Sequence, residues 1–158
     1  MSGGQTTTRG SSPVCSAIGK GVSAAVLDTA ALLASVQLHL PLTCVTTEEV
    51  YEEVRDEESR AALDLSAGAG KLLVITPSAE SRSKALEYAR AAGVLGKLSA
   101  ADLSVLSLAI ELRDCGNRVS VVTDDYALQL ASVHAGLDVV RVRYRGIKEL
   151  RKGKANLR

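Results

Sequence analysis

The sequence contains very few aromatic residues. Only 3% of its 158 residues are aromatic, with four Tyr and neither Phe nor Trp, whereas 46% are hydrophobic. This apolar content excludes intrinsic disorder of the whole chain, and the length suits one domain with a substantial core. Ala, Leu and Val must build that core, so we expect its helices and strands to pack closely.

Signals for membranes, secretion and zinc are also missing. No uncharged apolar run approaches 18 residues, and the N-terminal MSGGQTTTRGSSP lacks the apolar segment of a signal peptide. Three widely spaced cysteines (Cys15, Cys44 and Cys115) argue against a disulfide framework, and the absence of a CxxC pair argues against a zinc site. These absences predict a cytoplasmic protein without membrane contact.

The net charge of +1 hides an asymmetry between the two parts of the chain. Residues 141–158 carry eight Lys or Arg and one Glu, a charge of +7, whereas residues 1–140 carry eleven basic and seventeen acidic side chains, a charge of −6. A basic tail on an acidic domain fits contact with a polyanion, and it equally fits a solubilising tail.

Hydrophobic runs alternate with helical patterns along the chain. Strands are predicted at residues 22–27, 42–45, 71–75, 119–123 and 137–142. Strands that alternate with helices indicate a parallel sheet with helices on both faces. We expect a disordered leader at residues 1–20, one domain at residues 21–145 and a basic tail at residues 146–158.

The helices between these strands have recognisable beginnings. Asp28 and Thr29 open the helix TAALLASVQL, which ends before Pro41. Thr46 and Glu49 form a capping-box pattern before an acidic helix at residues 48–58, and a second helix follows at residues 59–66. The helix LSVLSLAIELRD, which begins near Asp102, is apolar almost all round and is therefore predicted to be buried.

Acidic residues stand where predicted strands end. Asp28 follows the first strand, and Asp124 and Asp125 follow the fourth. A chain that leaves a parallel strand for a helix crosses the carboxyl edge of the sheet, where ligands bind. If the first and fourth strands are neighbours, these acids converge there with Asp102, and Glu53 or Glu49 completes the set.

Carboxylates that share a small site repel one another unless a cation is bound between them. Burying them unpaired costs several kcal/mol or raises their pKa. Oxygen ligands select Mg²⁺ or Mn²⁺, and Mg²⁺ retains waters, one of which can attack a phosphodiester. Taken singly, however, each acid also fits a simpler role as a helix cap or a turn residue.

Several stretches resemble PIN domains and occur in the order expected of that family: AVLDTAALLA, TTEEVYEEVRD, LSAADLSVLSLAIEL and VSVVTDDYALQLASVHAGLDV. The similarity covers residues 22–150 and is strongest to the Nob-type PIN endoribonucleases, in LSxxDLSVLxLAxEL, TDDYALQ and the trailing GIK. The resemblance implies a three-layer α/β fold with a central parallel sheet of four to five strands in the order 3-2-1-4-5. It also implies metal-dependent cleavage of single-stranded RNA.

The resemblance assigns roles residue by residue. Asp28 matches the first family acid, Glu53 the acid of the EVxxEV helix, and Asp102 the acid of LSxxD. The T-x-D pattern indicates Asp125 as the last acid, whereas the TDD pair of the Nob type keeps Asp124 open. It thus implies catalytic Asp28, Glu53, Asp102 and Asp125, Mg²⁺ or Mn²⁺ ligands Asp28, Asp102, Asp124 and Asp125, and orienting residues Thr29 and Thr123.

The basic C-terminal residues are expected to contact RNA phosphates: Arg141, Arg143, Arg145, Lys148, Arg151 and Lys152. Nob-type proteins normally continue into a zinc ribbon, whereas this chain stops at Arg158 without paired cysteines. The chain is therefore interpreted as either a separated domain or a stand-alone relative.

Our leading hypothesis is an endoribonuclease that matures precursor small-subunit rRNA. Its expected partners are RNA and a pre-ribosomal particle, and a homodimer is left open. A VapC-like toxin ribonuclease that cuts tRNA or mRNA and is silenced by an antitoxin is the second hypothesis, which TDDYALQ and LSAADLSVL disfavour. A non-catalytic RNA-binding module is the third, which the complete set of acids argues against.

Overall fold

A parallel sheet forms the centre of the molecule in the computed structural model, which describes residues 12–143. Its five strands are β1 (Ser23–Leu27), β2 (Thr43–Thr46), β3 (Leu73–Val74), β4 (Arg118–Val122) and β5 (Asp138–Val140). All neighbouring strands run parallel, in the order β3-β2-β1-β4-β5. The predicted strand order is confirmed, with β1 and β4 side by side at the centre.

The helices lie around this sheet. They are α1 (Pro13–Ile18), α2 (Thr29–Leu33), α3 (Glu48–Glu53), α4 (Glu57–Gly68), α5 (Ala79–Ala91), α6 (Ala100–Asp114) and α7 (Tyr126–His134), with short 3-10 turns at Val36–Leu38 and Leu95–Lys97. Among residues 12–143, no helix combines the length and the apolar character that a bilayer span requires.

Helix α6 is the buried helix that its composition predicts. It packs against β1, β4 and four other helices, and its residues Val105, Leu108 and Leu112 are inaccessible to solvent. Small aliphatic side chains, mostly Ala, Val and Leu, make up the core around it. Strand β1 is buried over Ala24–Leu27 because helices cover both faces of the sheet.

Part of the segment that the sequence predicts to be disordered is helical. Residues 13–18 of the expected disordered segment form α1, whose Ser12 hydroxyl accepts a hydrogen bond from the Cys15 backbone N–H. Val14 is 1% exposed because α1 packs against α6, and this contact stabilises a helix that local composition does not favour. Residues 1–11 and the expected basic tail at 146–158 lie outside the described residues.

The cysteine prediction was wrong. Cys15 in α1 and Cys115 after α6 form a disulfide, with their Cα atoms 5.5 Å apart and a sequence separation of 100. Packing of α1 on α6 brings the two residues within bridging distance, which sequence spacing could not indicate. Cys44 is a buried free thiol in β2.

Two predicted helices are interrupted. The acidic helix at residues 48–58 ends at Glu53, and α4 begins separately because the Asp56 carboxylate accepts a hydrogen bond from the Ser59 N–H at 2.9 Å. The helix after β1 ends at Leu33, and Ser35 adopts the left-handed conformation with φ of 58° before the 3-10 turn. The Asp56 side chain competes for a backbone partner, whereas the Ser35 side chain makes no capping hydrogen bond.

The predicted capping box of Thr46 and Glu49 was wrong. Thr47 is the N-cap and accepts from the Val50 N–H at 3.2 Å, whereas the Thr46 hydroxyl donates to the Leu27 carbonyl at 2.8 Å. Thr46 therefore belongs to the sheet, where it ties β2 to the end of β1.

Candidate active site

The candidate site begins where β1 and β4 end together. Leu27 and Val122 are paired residues of these neighbouring strands, so Asp28 and Thr123 leave the sheet at the same edge. The Asp28 N–H still reaches the Val122 carbonyl at 3.3 Å, which extends the pairing by one step. The two chain segments that carry the predicted acids thus leave the sheet side by side.

Asp28 is buried, with only 8% of its surface exposed. Its carboxylate is the N-cap of α2 and accepts a hydrogen bond from the Ala31 N–H at 2.9 Å. Burial raises the pKa of Asp28, and the negative charges of Asp102 and Asp124 raise it further, against the lowering effect of hydrogen bonds from Thr123 and Ala31. The hydrogen bonds to Asp28 therefore do not fully offset the cost of burying its negative charge.

Asp102 reaches the same region from α6. It forms a capping box in which its carboxylate accepts from the Ser99 N–H at 3.0 Å and its own N–H donates to the Ser99 hydroxyl at 3.0 Å. Burial raises the pKa of Asp102, the Ser99 hydrogen bonds lower it, and the charges of Asp125 and Glu53 raise it again. The predicted first-turn position is confirmed, and Asp102 also caps its helix.

Glu53 is joined to the site through Thr29. As the last residue of α3, Glu53 accepts a hydrogen bond of 2.6 Å from the Thr29 hydroxyl, and Thr29 directly follows Asp28. Glu49, which the sequence left as an alternative, instead pairs with Arg82 at 2.8 Å. Of the two glutamates, Glu53 is therefore the one connected to the acidic edge.

Asp124 and Asp125 differ in their partners. Asp125 caps α7 by accepting from the Ala127 N–H at 2.8 Å and the Leu128 N–H at 3.2 Å. Asp124 accepts from the Arg143 backbone N–H, with distances of 3.1 and 3.3 Å to its two oxygens. Asp124 thereby holds the first residues after β5 beside the acidic edge.

Thr123 organises the turn between β4 and α7. It is fully buried, and its hydroxyl accepts from the Asp125 N–H at 3.0 Å. Its carbonyl accepts from the Gln129 side-chain amide at 3.1 Å, a contact that the sequence reasoning missed although Gln129 is part of the quoted TDDYALQ stretch. These two bonds fix the backbone direction at Asp124 and Asp125.

A second missed contact joins α3 to α6 below the acids. The hydroxyls of Thr47 and Ser104 lie 2.7 Å apart, and both residues are fully buried. The Ser104 hydroxyl also bonds the Ala101 carbonyl at 2.7 Å. The helices that carry Glu53 and Asp102 are therefore held in a fixed relation by a buried polar contact.

The donor chemistry of the edge suits a hard divalent cation, but its side chains are not arranged as a complete coordination shell. Among residues 12–143, no three His, Cys, Asp or Glu side chains are close enough together to hold a metal ion as they stand. All candidate ligands are carboxylates, the type that Mg²⁺ and Mn²⁺ prefer. Burial is the main cause of the raised pKa values of Asp28 and Asp102, neighbouring carboxylates add to it, and a bound cation would offset both effects.

Of the six basic residues expected to contact RNA, two lie in the described part of the chain. Arg141 and Arg143 are both exposed, and Arg143 is attached to Asp124 through its backbone. Arg145, Lys148, Arg151 and Lys152 lie outside the described residues. The described pair shows that the basic segment starts close to the acidic edge.

Comparison with known proteins points to ribonucleases. Residues 25–112 match the family described as "PIN domain of ribonuclease". The chain is 50% identical over 138 residues to "Ribonuclease VapC3" of Aeropyrum pernix, which covers 87% of this chain and 98% of that protein. It is 39% identical over 107 residues to "Endoribonuclease Nob1" of Pyrococcus abyssi, which covers 68% of this chain and 63% of that protein.

A more distant similarity extends to eukaryotes. The "20S-pre-rRNA D-site endonuclease NOB1" of Saccharomyces cerevisiae is 32% identical over 94 residues, which make up only 20% of that protein. The chain therefore spans nearly all of VapC3 but less than two thirds of these Nob1 relatives. The matched family, the strand order and the relatives agree, and the chain belongs to the PIN-domain ribonuclease family.

Proposed function

We propose that the protein is a Mg²⁺- or Mn²⁺-dependent endoribonuclease that hydrolyses phosphodiester bonds in single-stranded RNA. The observation that carries this proposal is geometric: Asp28 follows β1, and Asp124 and Asp125 follow the neighbouring β4, so acids from separate elements leave the same edge of the sheet. Asp28 after β1 and Asp102 at the start of α6 each have a pKa raised by burial and by neighbouring carboxylates. A divalent cation bound at this edge would offset the cost of these buried charges.

Asp28, Asp102 and Asp125 are the proposed ligands of the cation, with Glu53 beside them. A divalent cation at these carboxylates supplies Lewis-acid stabilisation of the phosphoryl charge and a nucleophilic water. Thr29 orients Glu53 through its 2.6 Å hydrogen bond, and Thr123 orients Asp125 through the Asp125 N–H. Both threonines thus act on the acids rather than on the substrate.

Asp124 has a different proposed role. Its two carboxylate oxygens are directed to the Arg143 N–H, so it holds the chain that carries Arg141 and Arg143 beside the acids. We therefore favour Asp125 over Asp124 as the fourth acid. Arg141 and Arg143, with Arg145, Lys148, Arg151 and Lys152 beyond them, are the proposed contacts to RNA phosphates.

Precursor small-subunit rRNA is the leading proposed substrate, in a pre-ribosomal particle in the cytoplasm. The similarity to Nob1 proteins supports it, as does the resemblance of LSAADLSVL and TDDYALQ to the Nob type. The second candidate is a toxin ribonuclease under the control of an antitoxin. The 50% identity over nearly the whole of VapC3 favours this candidate.

A cleavage assay with three RNAs tests the proposal. Purified protein is incubated with precursor rRNA, tRNA and an unstructured RNA, in Mn²⁺ and in chelator. We expect cutting only with Mn²⁺, and selective cutting of precursor rRNA would separate the first candidate from the second. Asp28→Asn and Asp102→Asn should abolish cutting with the fold intact, whereas Asp56→Asn, which alters an exposed N-cap of α4, should not.

Cutting by the purified Asp28→Asn and Asp102→Asn variants at the wild-type rate would refute the proposed chemistry. A small protein that co-purifies with the chain and silences it would reverse the order of the two substrate candidates. Neither result affects the assignment to the family, which rests on sequence similarity.

A further inference from the structure

An exposed aromatic residue directly follows the acids Asp124 and Asp125 in the chain. Tyr126 is the first residue of α7 and follows Asp125 in the chain, so their Cα atoms are about 3.8 Å apart. Its surface is 71% exposed, the highest exposure of the tyrosines within residues 12–143. Tyr126 is therefore a solvent-exposed residue one position from the proposed catalytic Asp125.

The other described tyrosines have structural partners. Tyr51 bonds the Asp64 carboxylate through its hydroxyl, and the Arg60 guanidinium lies 4.6 Å from its ring centre. Tyr88 is partly buried and packs against the core. The chain has four tyrosines and neither Phe nor Trp. Of the three tyrosines within residues 12–143, Tyr126 is the one that does not pack against the core.

Helix formation does not account for Tyr126 either. Asp125 supplies the cap of α7 by bonding the backbone of Ala127 and Leu128, and it makes no demand on the side chain at position 126. Tyrosine has only modest helix propensity, so a charged or small residue would serve the first turn as well. An isolated exposed apolar side chain needs no explanation in general, but this one adjoins the acids.

The surroundings of Tyr126 favour a base over a phosphate as its ligand. Asp102, Asp124 and Asp125 make this edge negative, so a phosphate can be held only where a cation or an arginine neutralises it. The face of a nucleobase is uncharged and stacks on an aromatic ring in a manner tolerant of sequence. Stacking also requires a base freed from a duplex, and unpaired RNA provides such bases.

We propose that Tyr126 stacks on an unpaired nucleobase next to the phosphodiester that is cut, and that this contact selects single-stranded RNA over duplex RNA. The inference rests on the proposed ribonuclease function and adds a substrate-binding residue to it. It gives a function to the tyrosine of TDDYALQ, whose side chain takes no part in the proposed cation site or in the capping of α7.

A fluorescence experiment tests the contact directly, because the chain contains no Trp. In Tyr126→Trp the new residue is the sole indole, and stopped-flow mixing with an unstructured RNA oligonucleotide in Mn²⁺ should quench it before turnover. Val133→Trp places the indole about two turns further along α7, at a position that is 61% exposed, and should not respond. The oligonucleotide annealed to its complement should leave both indoles unchanged.

Steady-state cleavage gives the second readout. Tyr126→Ala should raise KM for unstructured RNA about 5- to 150-fold with little change in kcat, and Tyr126→Phe should retain the wild-type KM. Val133→Ala should behave as wild type. An unchanged KM in an active Tyr126→Ala enzyme, or an indole at position 126 that ignores RNA, would overturn the inference.

Two further outcomes are distinguishable. If the indole at position 126 responds to protein concentration without RNA, another copy of the chain covers it and the inference is wrong. If wild-type protein cuts no RNA but the indole is still quenched by unstructured RNA, the proposed hydrolysis fails while the stacking contact stands.

Discussion

Replacing Asp28 by Asn should stabilise the protein at neutral pH in the absence of divalent cations. Asn has nearly the same shape, and its side-chain oxygen can still accept the 2.9 Å hydrogen bond from the Ala31 N–H that caps α2. The substitution therefore removes the charge and keeps the cap. A gain in stability when this acid is neutralised is the result expected if the ionised Asp28 carboxylate destabilises the native fold.

The sign follows from the pKa of Asp28, which burial raises above the value of the unfolded chain. The native protein then binds the Asp28 proton more tightly than the unfolded chain does, so the free energy of unfolding falls as the pH rises above about 4. The full destabilisation is present above the native-state pKa and disappears below pH 4. The gain in Asp28→Asn should show the same pH dependence.

The expected magnitude is about 1.4 kcal/mol for each unit by which the native pKa exceeds the unfolded one. In a protein of this size, 1 kcal/mol corresponds to a Tm shift of roughly 2–4 °C. Because Asp28 is only 8% exposed, solvent screens this effect less than it would at the surface. Each unit of difference would therefore raise the Tm of Asp28→Asn at pH 8 by an amount that ordinary calorimetry resolves.

Asp56 provides the matched control. It also caps a helix with one carboxylate oxygen 2.9 Å from a backbone N–H, but it is exposed and its pKa is lowered by the hydrogen bonds of Ser59. Asp56 therefore contributes stability above the unfolded pKa and loses it as the pH falls. Asp56→Asn should lower stability at pH 8, opposite in sign to Asp28→Asn.

Thermal unfolding of wild type and the two variants, in chelator between pH 4 and pH 8, measures these differences. The reasoning is refuted if Asp28→Asn lowers Tm at pH 8 as Asp56→Asn does. It is equally refuted if the gain in Asp28→Asn is as large at pH 4 as at pH 8, because the effect would then not come from the charge.

Two other predictions concern the cation and the disulfide. Mn²⁺ at a concentration 100 times its Kd should raise the free energy of unfolding of wild type by about 2.7 kcal/mol. The increase should be lost in Asp102→Asn but kept in Asp56→Asn. Equal increases in all three proteins would mean that the cation binds elsewhere. Cys15→Ser should lower stability by up to about 4.7 kcal/mol in urea unfolding, because the bridge to Cys115 closes a loop of about 100 residues. Its cleavage rate per folded molecule should be unchanged, and an unaltered urea midpoint would mean that the bridge contributes nothing.

The sheet and the buried helix could be predicted because each is encoded locally. The strands are apolar over consecutive residues, and α6 is apolar on all sides, which allows only a position between other elements. Adjacency of β1 and β4 came from the family resemblance and not from the residues alone. The paired register from Ser23 with Arg118 to Leu27 with Val122 supports it.

The N-terminal helix and its disulfide could not be predicted because they depend on long-range packing. Six residues of α1 have too little intrinsic helicity to form alone. Contacts about 100 residues away stabilise them: the Cys115 bridge and the 3.1 Å hydrogen bond from the Ser12 hydroxyl to Glu111. No periodicity in the Ser- and Gly-rich segment reports such partners.

For the site, the sequence indicated which acids leave the sheet edge but not what each one binds. The contact that separates Asp124 from Asp125 is made by the backbone N–H of Arg143, which has no sequence signature. The Gln129 amide likewise reaches a main-chain carbonyl, that of Thr123. Hydrogen bonds between side chains and backbone atoms of other segments cannot be predicted from residue types alone.

Helix capping and catalysis are compatible explanations of the acids, but only one of them explains the choice of residue. The capping explanation is correct as far as it goes, since Asp28, Asp102 and Asp125 each bond a backbone N–H at the start of a helix. Elsewhere in the chain Thr47 and Ser78 perform the same task with neutral hydroxyls. A neutral cap would serve α2 without burying a charge, so the choice of a carboxylate at position 28 is best explained by a cation bound at this edge.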